Sequence, residues 1–396
     1  MKYLWIGVGN SKEDRAHILE NGGKILSAEV SNDALLAGLD STGVICDSLN
    51  SSRIPSYPTY PEKKIAPQTW SRTGTSVDYN VGYLNYKYVN LLSKAKAMKK
   101  AAKAWAKKNR GEDVTVFVYQ MHTPFMGAAL AVKKVNPTAK IVLIVPDLPQ
   151  YMDMHMSRLK KILKGIDWRK IRRYMKKIDR YVLYSRHMAD FLKLPDGSYC
   201  VMEGSYDPTL LVEDPRPDTD TVSVMYSGVL DLRYGIRELL DAFETLDGNY
   251  ELWLTGNGNA VPLIKERAEK DPRIKMLGYL PSREDLLRKQ RQATMLISTR
   301  DPAEPASKYC FPSKLFEYMV SGNPVLSTRI GGIPEEYEPY LIYLEDISVD
   351  GIRDAILKVA QMPVEERMAF GDAARTFVLN EKNNIAQAQK ILSFLE

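Results

Sequence analysis

Cysteine is nearly absent from this chain. Cys46, Cys200 and Cys310 are the three in 396 residues, and their odd number and wide separation exclude a disulfide framework or a zinc-ligand spacing. Long apolar runs are missing too. The longest clean one, Ile141–Pro146 (IVLIVP), falls far short of the ~18 residues a membrane span needs. The opening MKYLWIGVGNSKEDR lacks a small-residue cleavage site after its short apolar stretch and reads as a first β-strand. Together these absences lead us to expect a reducing, cytoplasmic setting. Also missing is the third glycine of a dinucleotide fingerprint. Gly7-x-Gly9 and Gly256-x-Gly258 each follow a strand pattern, but Lys12 and Val261 stand where that glycine belongs, which argues against NAD. No groove-reading motif points to nucleic acid.

What is present is ordinary globular composition, 44% hydrophobic and 26% charged, at a length that favours two domains. The net charge of +6 conceals a split. Residues 1–205 carry 33 Lys and Arg against 18 Asp and Glu, and the remainder carries 22 against 31. The first half therefore suits an anionic partner.

Strand and helix patterns alternate through both halves. Val114–Tyr119 and Ile141–Val145 are continuous β-branched runs of the kind buried on both faces of a parallel sheet. A helix is expected over about Glu29–Leu39 and a strand near Val44–Cys46, with a Pro/Ser/Tyr loop at 51–61. The composition shifts at Ser205–Thr221, read as a linker, after which strands at Val222–Ser227, Tyr250–Thr255, Ile274–Gly278 and Met295–Ser298 alternate with helices. The expected architecture is α/β, two doubly wound Rossmann-like domains facing a central cleft, with ligands at the carboxyl ends of the strands. Domain bounds of 1–205 and 206–379 are expected, with a last helix within about 380–396 packing back on the first domain.

The stretch CFPSKLFEYMVSGNPVLSTRIGGIPE, residues 310–335, carries the most chemistry. Ser313 suits an N-cap, Gly322 a left-handed helix end, and Pro324 prevents continuation. The first-turn amides at Ser313–Leu315 suit a phosphate, and Glu317, one turn deeper, can accept two hydroxyls from a ribose diol. A capped surface helix with an exposed Lys314–Glu317 pair fits the same letters.

This stretch resembles the donor-site signature of glycosyltransferase family 4, the retaining GT-B sugar-nucleotide transferases. YSGVLDLRYGIRELLDAF (226–243), LWLTGNGNAVPLI (252–264) and IKMLGYLPSREDLLRKQRQATMLIS (274–298) fall in that family's order, and Gly22-Gly23 and VYQMHTP (118–124) resemble its glycine loop and histidine turn. The resemblance implies that Glu317 holds the ribose, that amides near Ser313 and Leu315 hold the distal phosphate, and that Tyr279 and Leu280 flank the base. It implies that Gly228, Gly22 and Gly23 let backbone approach the sugar diphosphate, and that His122, the candidate catalytic residue, faces the donor sugar. Neither a cofactor nor a metal is implied. The chain departs from the family at Tyr309, where the first of two glutamates is usual, so Asp301 or Glu304 are candidate sugar contacts beside Tyr309. It departs again at Val229 and Tyr234, where an arginine and a lysine are usual. Arg233, Lys314 and Lys265 are the candidate substitutes for facing the diphosphate, Lys314 foremost.

Asp218-Thr-Asp220 spells a metal-binding Asp-x-Asp, but it precedes its strand and reads as turn chemistry. Two segments are strongly basic. Lys94–Arg110 has eight Lys and Arg and no acid; Arg158–Arg180 has eleven against Asp167 and Asp179, with apolar residues recurring through it. The latter pattern fits an anionic membrane surface, or a core-packed helix with a solvated face. The resulting expectation is a transferase moving a sugar, from UDP by preference, to a lipid-linked saccharide at the inner membrane face, in polysaccharide or glycolipid assembly. An inactive membrane-bound partner subunit and, more remotely, an oxidoreductase are the other classes.

Overall fold

The structure is a computed structural model describing residues 1–24, 27–151, 158–216, 220–280 and 282–396, without side chains at 158–160. The chain divides into two compact units, Met1–Ser205 with Asn384–Glu396, and Tyr206–Asn383.

The first unit contains strands β1 (Lys2–Gly7), β2 (Cys46–Asn50), β3 (Lys64–Ile65), β4 (Gln68–Trp70), β5 (Asp78–Asn80), β6 (Tyr83–Leu84), β7 (Val114–Tyr119), β8 (Lys140–Val145), β9 (Arg180–Leu183) and β10 (Tyr199–Val201). Its helices are α1 (Lys12–Glu20), α2 (Ser27–Ser41), α3 (Val89–Lys108), α4 (Thr123–Val135), α5 (Arg158–Met175) and α6 (His187–Leu192). Eight strands form one sheet in the order β10-β9-β8-β7-β1-β2-β5-β4, parallel except for the β4–β5 pair. The order reverses direction between β1 and β7, where a doubly wound sheet opens a crevice at its carboxyl edge. Trp5, Phe117 and Tyr119 stack across that centre, all fully buried.

Two features of this unit differ from the sequence expectation. Strand β2 lies at 46–50 rather than 44–46, because its polar residues are buried in a network of their own. Ser48 donates to Asp78 at 2.5 Å, and Arg72 pairs with both Asp78 and Asp40. Helix α1 carries mostly polar residues and no apolar stripe; Ser11 caps it by accepting the Asp14 amide at 2.9 Å. The C-terminal helix Asn384–Leu395 packs on α2, where Gly38 leaves no room for a Cβ, which would lie 2.1 Å from the Asn384 carbonyl oxygen. Residues 380–383 stay with the second unit.

The second unit contains β11 (Val222–Val229), β12 (Tyr250–Asn257), β13 (Ile274–Gly278), β14 (Met295–Ser298), β15 (Val325–Ser327) and β16 (Ile342–Tyr343). Its helices are α7 (Ile236–Glu244), α8 (Val261–Lys270), α9 (Arg283–Arg291), α10 (Lys314–Val320), α11 (Val349–Ala360) and α12 (Val364–Glu381). The sheet is entirely parallel, ordered β13-β12-β11-β14-β15-β16, with its reversal between β11 and β14. Leu239, Leu240 and Phe243 of α7 and Ile352, Ile356 and Val359 of α11 close one face of its core. The linker is tied down where it is described: Arg216 pairs with Asp372 at 2.9 Å. Asp218 lies outside the described residues.

Candidate functional site

In the second unit the reversal of strand order brings the ends of β11 and β14 together, and α10 approaches the same edge. Gly228, next to last in β11, is at φ +126°, and a Cβ on its β12 neighbour Gly256 would lie 1.8 Å from the Gly228 carbonyl oxygen. Only glycine fits there, so the strand ends present bare backbone. Tyr318 fixes α10 to β11: its hydroxyl donates to the Ser227 carbonyl at 2.9 Å and accepts the Ser227 amide at 2.8 Å. That anchorage places Lys314 beside Gly228, its Cδ 4.0 Å from where a Gly228 Cβ would stand. The Lys314 ammonium lies 3.7 Å from the centre of the Tyr226 ring. The ring face favours the charged form. Burial, reinforced by the charge of Arg300, outweighs it and brings the Lys314 pKa down to about 7.

Glu317 is half-buried, and its Oε1 accepts a bond from Arg283 Nη2 at 2.8 Å. Oε2 has no protein partner among the described residues. The carboxylate is thus aimed, with acceptor capacity to spare.

Ser313 does not cap α10. Its backbone is already helical, at φ −53° and ψ −24°, and its side chain makes no capping bond, because the chain turns one step earlier: the Leu315 amide donates to the Pro312 carbonyl at 2.8 Å. Leu315 itself is fully buried, and Ser313 is exposed. The Leu315 amide is therefore taken, which corrects the expectation that it faces a phosphate. Arg233 is likewise committed. Its guanidinium grips Asp231 through Nε at 3.0 Å and Nη2 at 2.8 Å, holding that carboxyl down at about 2. Lys265 is exposed on α8.

Tyr279 follows β13 and is 78% exposed, with Leu280 half-buried beside it. Of the expected sugar contacts, Asp301 Oδ1 accepts the Ala303 amide at 2.8 Å in a turn, and Glu304 lies 3.6 Å from Arg300 Nε. Tyr309 closes the 3-10 turn Pro305–Lys308. Two residues near the site escaped the sequence reading. Arg300, just past the carboxyl end of β14, is the cation that acts on Lys314, and its position at a parallel strand end is the signal that marks it. Arg283 opens α9 and gives no sign in sequence of its partner Glu317.

In the first unit, His122 stands between β7 and α4, at the carboxyl edge where the strand order reverses. Gln120 reaches φ +87°, a backbone region costly for a side-chain-bearing residue, and the His122 amide donates to its carbonyl at 2.8 Å. Pro124 then starts α4 without needing an amide partner. The His122 ring meets Phe125 edge-on at 4.8 Å. Burial, then the charges of Lys94 and Arg53, hold its pKa down at about 3, so the imidazole is neutral and able to donate one hydrogen bond and accept another. Gly22 and Gly23 follow α1 and line, with His122, a groove of about 580 Å³; Gly22 is at φ +75° and exposed, while a Cβ on Gly23 would strike Ile18.

The basic segments separate into two kinds of surface. Lys94–Arg110 lies on α3 up to Lys108, with Met98, Ala102 and Ala106 turned into the core and Lys94 reaching inward to donate to the Ser52 carbonyl at 2.9 Å. Arg158–Arg180 includes α5, on which Ile171 is buried while Ile162, Leu163 and Ile166 are exposed among the lysines and arginines. Neither simple expectation, membrane-facing or core-packed, describes it alone: one stripe packs and its neighbour does not. Among the described residues no helix is long and apolar enough to cross a membrane, and no group of three or more His, Cys, Asp and Glu could hold a metal.

Two Rossmann-like units in tandem define the GT-B class of fold, the architecture of many glycosyltransferases. Residues 221–362 match the family described as Glycosyl transferases group 1. No curated protein sequence matches the chain. Among solved structures it is similar to Anabaena HepE, captured in complex with UDP, at TM-score 0.67 and 13% identity, covering 100% of this chain and 99% of that one. Sucrose-phosphate synthase from Thermosynechococcus elongatus gives 0.67 and 13%, covering 100% and 98%. A glycosyltransferase from Rickettsia africae ESF-5 gives 0.66 and 14%, covering 100% and 99%.

Proposed function

We propose that this protein is a glycosyltransferase that moves a sugar from a nucleoside diphosphate, UDP being the expected carrier, to an acceptor hydroxyl. The observation that carries this reading is the trio of Gly228, Lys314 and Glu317 at the reversal point of the second unit's sheet. It supplies bare backbone, a cation and an oriented carboxylate in the order diphosphate, then ribose. The match of residues 221–362 to the group 1 glycosyltransferases covers these same residues and supports it. The complex of HepE with UDP is consistent with uracil as the base.

In this reading Glu317 Oε2 accepts the ribose hydroxyls while Arg283 holds its other oxygen. Lys314, backed by Arg300, takes the place of the charges absent at Val229 and Tyr234 and stabilises the leaving diphosphate. His122, neutral at physiological pH, serves as a hydrogen-bonding group to the sugar rather than as a general base. Metal-independence and retention of configuration follow from the family resemblance. The first unit holds the acceptor, and the basic α5 with its exposed Ile162, Leu163 and Ile166 supports a peripheral position on an anionic membrane, hence a lipid-linked saccharide.

The test is calorimetric titration with UDP, GDP, ADP and NAD, followed by donor turnover. One nucleoside diphosphate binding, and its sugar conjugate being consumed, is the expected result. Tight nucleotide binding with no turnover on any donor would favour the inactive partner subunit, and NAD binding insensitive to Glu317 would favour an oxidoreductase.

A further inference from the structure

Two cavities of the first unit meet at Arg53, Lys94 and His122. The larger, about 580 Å³, adds Lys24 and has no acidic residue in its lining. The smaller, about 250 Å³, adds Lys164 and Gln120, with Asp147 and Asp167 also in its lining. Asp167 is engaged, accepting from the Thr123 hydroxyl. The donors around this junction are short of acceptors. Lys164 Nζ and Gln120 Nε2 are buried without a hydrogen-bond partner, and Arg53 makes one long bond, 3.4 Å, to Gln120 Oε1. Buried ammonium and amide donors are rarely left unpaired, and a cluster of them facing one space marks the seat of an anion. Burial and the neighbouring Arg53 also lower Lys94 to about 8.

We propose that Arg53 and Lys94, with Lys164 and Gln120 behind them, form an anion-binding subsite in the first unit that takes a phosphate group of the acceptor. Four donor groups exceed what one carboxylate's two oxygens use well, and a phosphate offers three oxygens and up to two charges. The assignment to the acceptor rests on the function proposed above, since the donor's own diphosphate is given to the second unit. It also narrows that function: the acceptor hydroxyl belongs to a phosphorylated molecule, whether a soluble sugar phosphate or a lipid-borne phosphate.

The experiment is calorimetric titration of wild type, Arg53→Gln and Lys164→Met with inorganic pyrophosphate, each first saturated with UDP, and in parallel flotation with vesicles containing phosphatidic acid. Lys164→Met removes a buried, unpartnered charge and is expected to leave folding intact. Pyrophosphate binding to the wild type, weakened roughly tenfold or more in both variants, is the expected result. A vesicle interaction weakened alongside it identifies a lipid-borne phosphate; a vesicle interaction left unchanged identifies a soluble one. No pyrophosphate binding to the wild type, or equal binding in all three proteins, overturns the subsite. UDP affinity, read in the first step, keeps the two ideas apart. Failure of UDP to bind would sink the donor assignment, while the pyrophosphate comparison would still decide the subsite.

Discussion

Three side chains carry the account, and each has a physical signature of its own. Glu317 is oriented by Arg283 at 2.8 Å, so Glu317→Gln removes both the charge that accepts a diol and the partner of a cation. A charged hydrogen bond of this kind is worth about 1.5–3 kcal/mol, which predicts UDP binding weakened roughly 10- to 100-fold by titration, with the fold unchanged. Lys314, with its pKa lowered to about 7, is largely neutral at about pH 8 in the free protein, and a bound diphosphate favours its protonated form. UDP binding at that pH should therefore take up a proton, and affinity should rise as the pH falls toward 7. Calorimetry in buffers of different ionisation enthalpy measures the uptake; Lys314→Met should abolish it. His122 titrates well below an ordinary histidine. With its folded pKa near 3 and an unfolded value near 6.5, it binds no proton in the folded state between these limits while the unfolded chain does. Its contribution is complete above pH 6.5 and falls as the pH drops toward 3, by about 1.4 kcal/mol per pH unit at most. Imidazole NMR at mildly acid pH should find His122 neutral and His17, whose pKa is raised by its bond to Glu62, protonated first.

At the scale of elements, the second unit was more legible than the first. Its strands are apolar runs bounded by turn residues, and the stop at Ser321-Gly322-Asn323-Pro324 placed the end of α10 correctly. Its start at Lys314 was placed correctly too, but Ser313 makes no capping bond, because the Pro312 carbonyl had already begun the turn. In the first unit, α1 and β2 were missed or displaced since both are polar, and their buried groups are satisfied by distant segments: Ser48 of β2 by Asp78 at 2.5 Å, Asp14 of α1 by Asn80 at 3.4 Å. Periodicity cannot report such pairings. Arg283 and Glu317, 34 residues apart, are the same kind of case at the site. Helix α5 shows both behaviours on one element. Ile171, 1% exposed, should cost about 2–5 kcal/mol as Ile171→Ala, read by denaturant unfolding. Ile162→Ser with Ile166→Ser should leave stability within about 0.5 kcal/mol, since both are exposed, yet reduce binding to phosphatidylglycerol vesicles. Vesicle binding unmoved by that pair would remove the membrane from the account.

Across the whole molecule, each unit is a doubly wound sheet, and each places its candidate residues at the reversal of strand order: His122 in the first, Gly228 and Arg300 in the second. That shared placement was visible in sequence as strands alternating with helices, and the charge division of 33 to 18 against 22 to 31 turned attention to the first half for an anionic partner. What sequence did not carry was which cations are spent. Arg233 looked free and is bound to Asp231, while Arg53 and Lys94 lie in a loop and a helix that resemble no site and line one cavity. The central claim is that the second unit seats a nucleoside diphosphate through Glu317 and Lys314. It is tested most directly by titrating UDP into the wild-type protein and into Glu317→Gln under the same conditions. The account predicts saturable binding of one UDP per chain that weakens at least tenfold in the variant. Equal binding to both proteins, or none to the wild type, would contradict it.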